Sequence, residues 1–428
     1  MTDQYGRPAS DQPPAHPEPD PRLRDYPPPT VPSYPYGGPP APAPYGSQPL
    51  PPYPGQQAPA PYPGPPSVPY GAPYPTGYAG PPFVGHGYAM APWTLPPLPV
   101  LPTEPRRYSQ LLRGPRYRWW KPVLTILLGL ALFVGFSLVS LVPPLVAGLV
   151  TGVSDLGGYL VRTLTDLDNL GPVGFVAVNL SLIVLIPTAM LSTWIVHRVR
   201  PRYVSSVTGG IRWRWLLRCL LVVVPIWVLY VGLTTLVERP VSGRPDQWVA
   251  LLVIVLLTTP LQAAGEEYLF RGWIMQNVGA WFARPVVGLV VSTVVSTVTF
   301  SAAHGSPDIW ILGSIGCLAV AACLATWRTG GLEAGIAMHA TNNILVFFVT
   351  LFFGGWQDAF VGADTKGTFV QFLLSVVVHG IALALIWWQA GRHGVSPLSI
   401  PAAAPVAFAA PPLPATTPAE VAGRFPAG

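Results

Sequence analysis

Charge is what this chain has least of. Asp, Glu, Lys and Arg make up 10% of its 428 residues, against about 25% in soluble globular proteins. Apolar residues reach 50% although 56 prolines dilute the count. Such a composition excludes an ordinary soluble enzyme and implies burial in a medium that rejects charge. Cysteine is also scarce: Cys219, Cys317 and Cys323 all lie in apolar stretches. Their spacing excludes a zinc or disulfide framework, and they read as small buried hydrophobes. The beginning, MTDQYGRPAS, has no apolar core, which excludes a cleaved secretory signal; the first apolar helix is expected to act as an uncleaved insertion signal. The net charge of +6 sits mostly beside apolar runs, a membrane-orientation pattern, and nothing points to nucleic acid.

What is present falls into three parts. Residues 1–115 are rich in Pro, Tyr, Gly and Ala, with fragments such as PPYPG recurring without a period. Proline removes backbone donors and fixes φ, so this stretch is expected to be a disordered cytoplasmic tail of polyproline II character. It reads as a spacer, with binding of an unknown protein partner as the alternative. Residues 392–428 are expected to form a shorter disordered tail. Between them, residues 116–391 carry apolar runs at 121–142, 172–196, 215–237, 248–265, 285–303, 309–327, 331–353 and 368–389. A bilayer span needs about 20 apolar residues. The expected fold class is therefore all-α: a polytopic transmembrane bundle of about eight helices.

Loop charges alternate. Arg113, Arg116, Arg118 and Lys121 precede the first run, and Arg198, Arg200, Arg202, Arg212, Arg214 and Arg218 surround the third loop. Asp155, Asp166 and Asp168 outnumber Arg162 on the opposite side, as do Asp358 and Asp364 later. Basic residues collect on cytoplasmic loops, which predicts a multi-pass cell-membrane protein with both termini cytoplasmic. Trp119, Trp120, Trp213, Trp215, Trp387 and Trp388 fall near the expected interfaces, where indoles anchor. Pro143, Pro187 and Pro225 fit kinks in membrane helices.

One stretch breaks the apolar rule. LQAAGEEYLFRGW, Leu261–Trp273, places Glu266 and Glu267 directly after an apolar run. An ionised group at membrane depth costs roughly 3 kcal/mol or more, so it is rare unless paired or functional. Glu267 and Arg271 are four apart and share a helical face, while Glu266 points about 100° away. His304 closes the next run in FSAAH, and His339 and Asn343 share a face in MHATNN. Each is expensive in hydrocarbon and needs a polar partner. If these helices converge, a carboxylate pair, two histidines and an amide form a hydrolytic set. His379 stands alone and reads as packing or interface. Gln262 and Asn277 flank the glutamates as candidates to support them. A straight-rod arrangement would separate Glu266 and His304 by more than roughly 20 Å, so either the glutamate helix reaches deeper or residues 272–290 do not all span.

The patterns EExxxR (Glu266, Glu267, Arg271), FxxxH (Phe300, His304) and HxxxN (His339, Asn343) resemble, intact and in order, the motifs of the CPBP family. These are the CAAX prenyl protease 2-like and bacteriocin-processing intramembrane endopeptidases, also called Abi proteins. The resemblance covers residues 248–350. It implies an intramembrane protease acting on a membrane-associated, prenylated or peptide substrate. Glu266 would activate a water, His304 would orient it, His339 and Asn343 would stabilise the oxyanion, and Arg271 would orient the glutamates. A second version, implied by the family's metalloprotease naming, has His304, His339 and Glu267 binding a divalent ion such as zinc. No HExxH helix is present, and Asn343 is a better oxyanion donor than zinc ligand, which favours the metal-free version while leaving both open. Two other classes compete: a non-catalytic immunity or scaffold protein with the same fold, and a transporter with a proton relay. A relay would spread its ionisable residues along a path, whereas these cluster, and no inverted repeat is visible.

Overall fold

The computed structural model describes residues 97–166, 169–238 and 243–403. The expectation of disorder over residues 1–96 and 404–428 lies outside the described residues. Among the described residues the fold is helical, with only the isolated bridges Arg107–Leu398 and Ser206–Gly331. The helices are α1 (Lys121–Ser137), α2 (Val142–Val150), α3 (Leu156–Thr165), α4 (Pro172–Ile183), α5 (Leu185–His197), α6 (Trp213–Glu238) and α7 (Trp248–Glu267). Then come α8 (Met275–Ala280), α9 (Pro285–Ala303), α10 (Ile309–Thr329), α11 (Glu333–Phe353) and α12 (Phe369–Arg392).

Among the described residues these combine into eight runs long and apolar enough to cross a bilayer: 121–150, 172–197, 213–237, 248–280, 285–303, 309–329, 333–353 and 369–392. The number matches the sequence reading, and the largest change is in the fourth run. It does not stop after the glutamates. A π-helical segment, Tyr268–Ile274, joins α7 to α8, making 33 continuous helical residues.

Helix boundaries follow local chemistry. Pro122, Pro143, Pro172 and Pro285 occupy first-turn positions, where the missing N–H has no cost. Thr368 and Gln371 form a reciprocal capping box at the start of α12. Pro225 lies inside α6, and Pro260 lies inside α7, six residues before Glu266. The φ of +71° at Gly330 ends α10, a conformation that glycine adopts without a Cβ clash.

Large apolar side chains cover the outside: Leu127, Leu130 and Val134 on α1, Leu229 and Leu233 on α6, Val290 and Val294 on α9 are all exposed. In water such a surface would aggregate; in lipid it is the solvent-matched face. The interior is α11, which packs between α6, α7 and α10. The main core cluster gathers Trp227, Phe270, Phe300, Leu318 and Met338. Trp215 belongs to it too, 3% exposed, so it is a core residue and not the interfacial anchor expected from its position. Trp119, Trp120, Trp213 and Trp388 are exposed, as anchors are.

The tail boundary expected near residue 115 falls inside a packed segment. Tyr108, Leu111 and Leu112 are buried; the Tyr108 hydroxyl donates to the Val204 carbonyl, and Gln110 Nε2 donates to the Phe282 carbonyl at 2.8 Å. Residues after α12 join this layer: Ser399 N donates to the Arg106 carbonyl and Ala402 N to the Pro102 carbonyl, both at 2.9 Å. A few apolar side chains among prolines suffice to dock the chain, and bulk composition hides them.

Candidate active site

The long fourth run decides the geometry. Because the helix continues to Ala280, Glu266 and Glu267 lie well inside it rather than at a loop. Of the two ways out of the straight-rod conflict, the deeper glutamate helix is the one observed. Glu267 is fully buried and Glu266 is 8% exposed. Close backbone approach puts them among neighbours. A Cβ at Gly265 would collide with the Leu182 carbonyl of α4, and one at Gly335 would come 2.6 Å from Glu267 Oε2. Glycine at these two positions lets α4 and α11 close on α7.

Glu267 is the hub of the charged cluster. Its Oε1 accepts from Arg271 Nη1 at 2.9 Å and from His339 Nδ1 at 2.9 Å. Both ends of the Glu267–Arg271 pair are fully buried. An ionised carboxylate only accepts, so Nδ1 of His339 carries a hydrogen and Nε2 is the nitrogen left for other chemistry. Nε2 lies 3.7 Å from Glu266 Oε2. The imidazole thus bridges the two glutamates. Glu266 Oε1 accepts from Gln262 Nε2 at 2.6 Å, and Gln262 Oε1 accepts from Asn343 Nδ2 at 3.2 Å.

The aromatic ring of Phe300 holds the cations and imidazoles in place. The Arg271 guanidinium lies 4.1 Å over its face, and the rings of His304 and His339 meet it edge-on at 4.9 and 5.5 Å. Such contacts are worth about 0.5–2 kcal/mol each when desolvated. His304 follows the last residue of α9, and its Nδ1 bonds the Phe300 carbonyl at 2.9 Å. The wide turn of Tyr268–Ile274 is held from outside: Ser296 Oγ donates to the Phe270 carbonyl at 3.0 Å, and the hydroxyls of Ser205 and Tyr268 bond at 2.6 Å. Such π-helical turns are frequent at functional sites.

A cavity of about 800 Å³ brings Glu266, His304, His339 and Asn343 to one surface. Glu267 and Arg271 stand behind it, within reach of His339 but outside the lining. Asn277 does not join them; its Nδ2 bonds the Trp273 carbonyl at 2.8 Å. His379, expected to be partnerless, bonds the Ser375 carbonyl through Nδ1 at 2.7 Å and stacks edge-on against Trp227 at 5.1 Å. It lines the cavity wall and also borders an apolar groove of about 1010 Å³ between α9, α10 and α12. Sequence reasoning missed Phe300 as an organiser, and it missed Trp227 and Asn342. The available signals were an indole in mid-span and two consecutive amides in a hydrocarbon helix.

The zinc version asks His304, His339 and Glu267 to converge. Among the described residues no three His, Cys, Asp or Glu side chains come together as metal ligands would. Glu267 stands behind His339, its Oε1 bonded to Arg271 and to His339 Nδ1. It therefore orients the imidazole rather than sharing a ligand sphere with His304 and His339, and this placing of the three does not make a three-ligand zinc site.

Residues 247–345 match the family model described as "Type II CAAX prenyl endopeptidase Rce1-like". A curated relative, the uncharacterized protein YyaK of Bacillus subtilis (strain 168), is 26% identical over 147 residues, 32% of this chain and 49% of YyaK. The match thus spans about half the length of that relative. No solved structure matches the chain. The matched segment includes every motif residue from Glu266 to Asn343. Over residues 247–345 the chain is therefore similar to the Rce1-like type II CAAX prenyl endopeptidases, a family of membrane proteases.

Proposed function

We propose that this protein is a multi-pass membrane endopeptidase that hydrolyses a peptide bond by a Glu266-activated water. The observation carrying this reading is the convergence of Glu266, His304, His339 and Asn343 on one cavity, with Glu267 and Arg271 locking His339 from behind. Glu266 takes a proton from water as the oxygen bonds the scissile carbonyl carbon. The carbonyl oxygen becomes an oxyanion facing Asn343, which donates through Nδ2, and His339, which donates through Nε2 when that nitrogen also carries a proton; such donors are worth several kcal/mol where water is excluded. His304 orients the attacking water. Collapse breaks the C–N bond, and the proton held by Glu266 passes to the leaving nitrogen. Glu267 and Arg271 keep the imidazole oriented and touch no reacting atom.

The substrate reading follows from the walls. Leu130, Phe133, Leu269, Ile315 and Val346 line the cavity beside the polar groups, which suits an apolar segment delivered from the membrane. The family description names a CAAX prenyl endopeptidase; a prenylated segment is one member of that class, and a membrane-protein or peptide segment is another. Orientation rests on charge. Lys121, Arg198, Arg200, Arg202, Arg284 and Arg328 flank span ends at one end of the alternation, which supports both termini in the cytoplasm of a cell-membrane protein.

The test compares membranes of cells making wild-type protein with those making Glu266→Gln, by mass spectrometry of protein terminal peptides. Loss of the base with shape retained should stop turnover. A cleavage site present with wild type and lost with Glu266→Gln is expected. Identical terminal peptides at equal membrane levels of the two proteins would overturn the endopeptidase reading in favour of a non-catalytic membrane protein.

A further inference from the structure

Glu266 is the end of a hydrogen-bond chain that begins on another helix. Trp227 Nε1 of α6 donates to Asn342 Oδ1 of α11 at 3.1 Å. Asn342 Nδ2 donates to Asn343 Oδ1 at 3.2 Å. Asn343 Nδ2 donates to Gln262 Oε1 at 3.2 Å, and Gln262 Nε2 donates to Glu266 Oε1 at 2.6 Å. Every donor points towards the carboxylate.

The two ends fix that direction. An indole N–H can only donate, and an ionised carboxylate can only accept. The three amides between them each have one donor face and one acceptor face. Turning any one around sets two carbonyls, or two amino groups, against each other. The cost is highest where the chain is sealed, since Trp227 is fully buried and Gln262 is 6% exposed, while Asn342 and Asn343 between them are half-buried at the cavity wall. Unpaired polar groups in such a place cost about 1–3 kcal/mol each. A chain with both ends fixed has one arrangement, and aligned hydrogen bonds strengthen one another.

Two consequences reach the chemistry. Oε1 of Glu266 is held as an acceptor, so the proton taken from water goes to Oε2, the oxygen 3.7 Å from His339 Nε2. Asn343 gives one N–H to Gln262 and accepts from Asn342, which fixes its plane and leaves its second N–H for the oxyanion. We infer that Gln262, Asn342 and Trp227 are positioning residues that aim the base and the oxyanion donor together, leaving Oε2 of Glu266 as the proton-accepting oxygen. None of the three is a fixed position of EExxxR, FxxxH or HxxxN. The inference rests on Glu266 being the base.

The test uses the full-length protein in liposomes and a synthetic peptide spanning the cleavage site that separates wild type from Glu266→Gln. Gln262→Met keeps the side-chain length and removes both hydrogen bonds. Its kcat should fall about a hundredfold, the scale of an ångström misplacement, with KM unchanged. Trp227→Phe releases the far end and should lower kcat on the order of fivefold, again with KM unchanged. The double variant should fall no further than Gln262→Met, since both act through one chain and coupled residues are non-additive. Multiplying losses, or a raised KM at constant kcat, would show separate packing roles and overturn the inference. Thermal unfolding of each variant identifies one that has not folded, and Asn342→Leu then replaces it in the cycle. If wild-type membranes show no cleavage beyond those with Glu266→Gln, the endopeptidase reading has failed and this inference with it. If that cleavage is present but Gln262→Met turns over normally, only this inference has failed.

Discussion

Two ion pairs, one fully buried at the cavity and one half-buried at the end of the bundle, are built to different standards. At the bundle end, Arg212 grips Glu333 with Nε at 2.8 Å and Nη2 at 2.7 Å, while Nη1 donates to the Thr329 carbonyl at 2.9 Å. Its backbone N–H donates to the same carboxylate at 2.9 Å. Every guanidinium nitrogen is used. At the cavity, Arg271 gives Glu267 one bond, and Arg271 Nε, Arg271 Nη2 and Glu267 Oε2 have no partner. A buried charge pair is stabilising only when its remaining donors and acceptors are satisfied. The Arg212 pair meets that condition and ties the loop before α6 to the first turn of α11. The Arg271 pair does not, and its second carboxylate bond goes to His339. Incomplete pairing is tolerated where the charge serves an imidazole, and complete pairing is found where it serves only the fold.

The sharpest break in that comparison is Arg271→Met. It leaves Glu267 buried without its cation, which costs about 3–5 kcal/mol for a pair sealed from water. His339 loses a fixed orienting carboxylate at the same time. A large drop in melting temperature together with loss of turnover is expected, measured in detergent and on membrane cleavage products respectively. Arg271→Lys, which keeps the charge without the planar fork, should recover folding more fully than turnover. A Met variant that melts like wild type would show that Glu267 is not held as an anion.

Glu333→Gln probes the other pair and should separate stability from activity. Arg212 is 20% exposed, so its freed charge finds water. The expected cost is about 1.5–3 kcal/mol, the range for hydrogen bonds to charged groups, read as a lowered melting temperature. Below that temperature kcat and KM should match wild type. A turnover loss as deep as that of Arg271→Met would erase the distinction between the two pairs.

Legibility in the sequence followed the same division between near and far. The eight apolar runs were readable because span length is a local property, and their ends moved by only a few residues except where the first run continues to Val150 and where α7 continues into α8. The Glu267–Arg271 contact was readable because i,i+4 neighbours must meet on a helix. The chain from Trp227 to Glu266 was not, since its first bond joins residues 115 apart in sequence and no periodicity marks such a pairing. Tyr108 was lost for another reason. Its stretch is too proline-rich to register as structure, yet one aromatic ring and two leucines dock it. The π-helical turn escaped because its residues look helical, and the contacts from Ser205 and Ser296 that brace it come from other segments.

The smallest expected effect lies outside the two ion pairs, at the loop after His304. Asp308 caps α10: its carboxylate accepts from Trp310 N at 2.9 Å and Ile311 N at 3.1 Å, and from Gly367 N at 3.3 Å. A negative charge at a helix N-terminus also complements the helix dipole. The backbone N–H of Ile311 above all holds the carboxyl below its ordinary value of 3.8, aided by those of Gly367 and Trp310 and by the nearby Lys366. With the folded value depressed, the charge contributes stability that is fully present above pH 3.8 and is lost as pH falls through the lower folded value. Asp308→Asn keeps an acceptor and removes the charge. It should lower the melting temperature slightly at pH 7, and the gap from wild type should close as the pH is taken below 3.8. Activity at pH 7 should fall less than with any cavity variant, because the cap steadies the loop that follows His304 without touching the imidazole. A gap that persists unchanged to low pH would assign the effect to the shape of the side chain rather than to its charge.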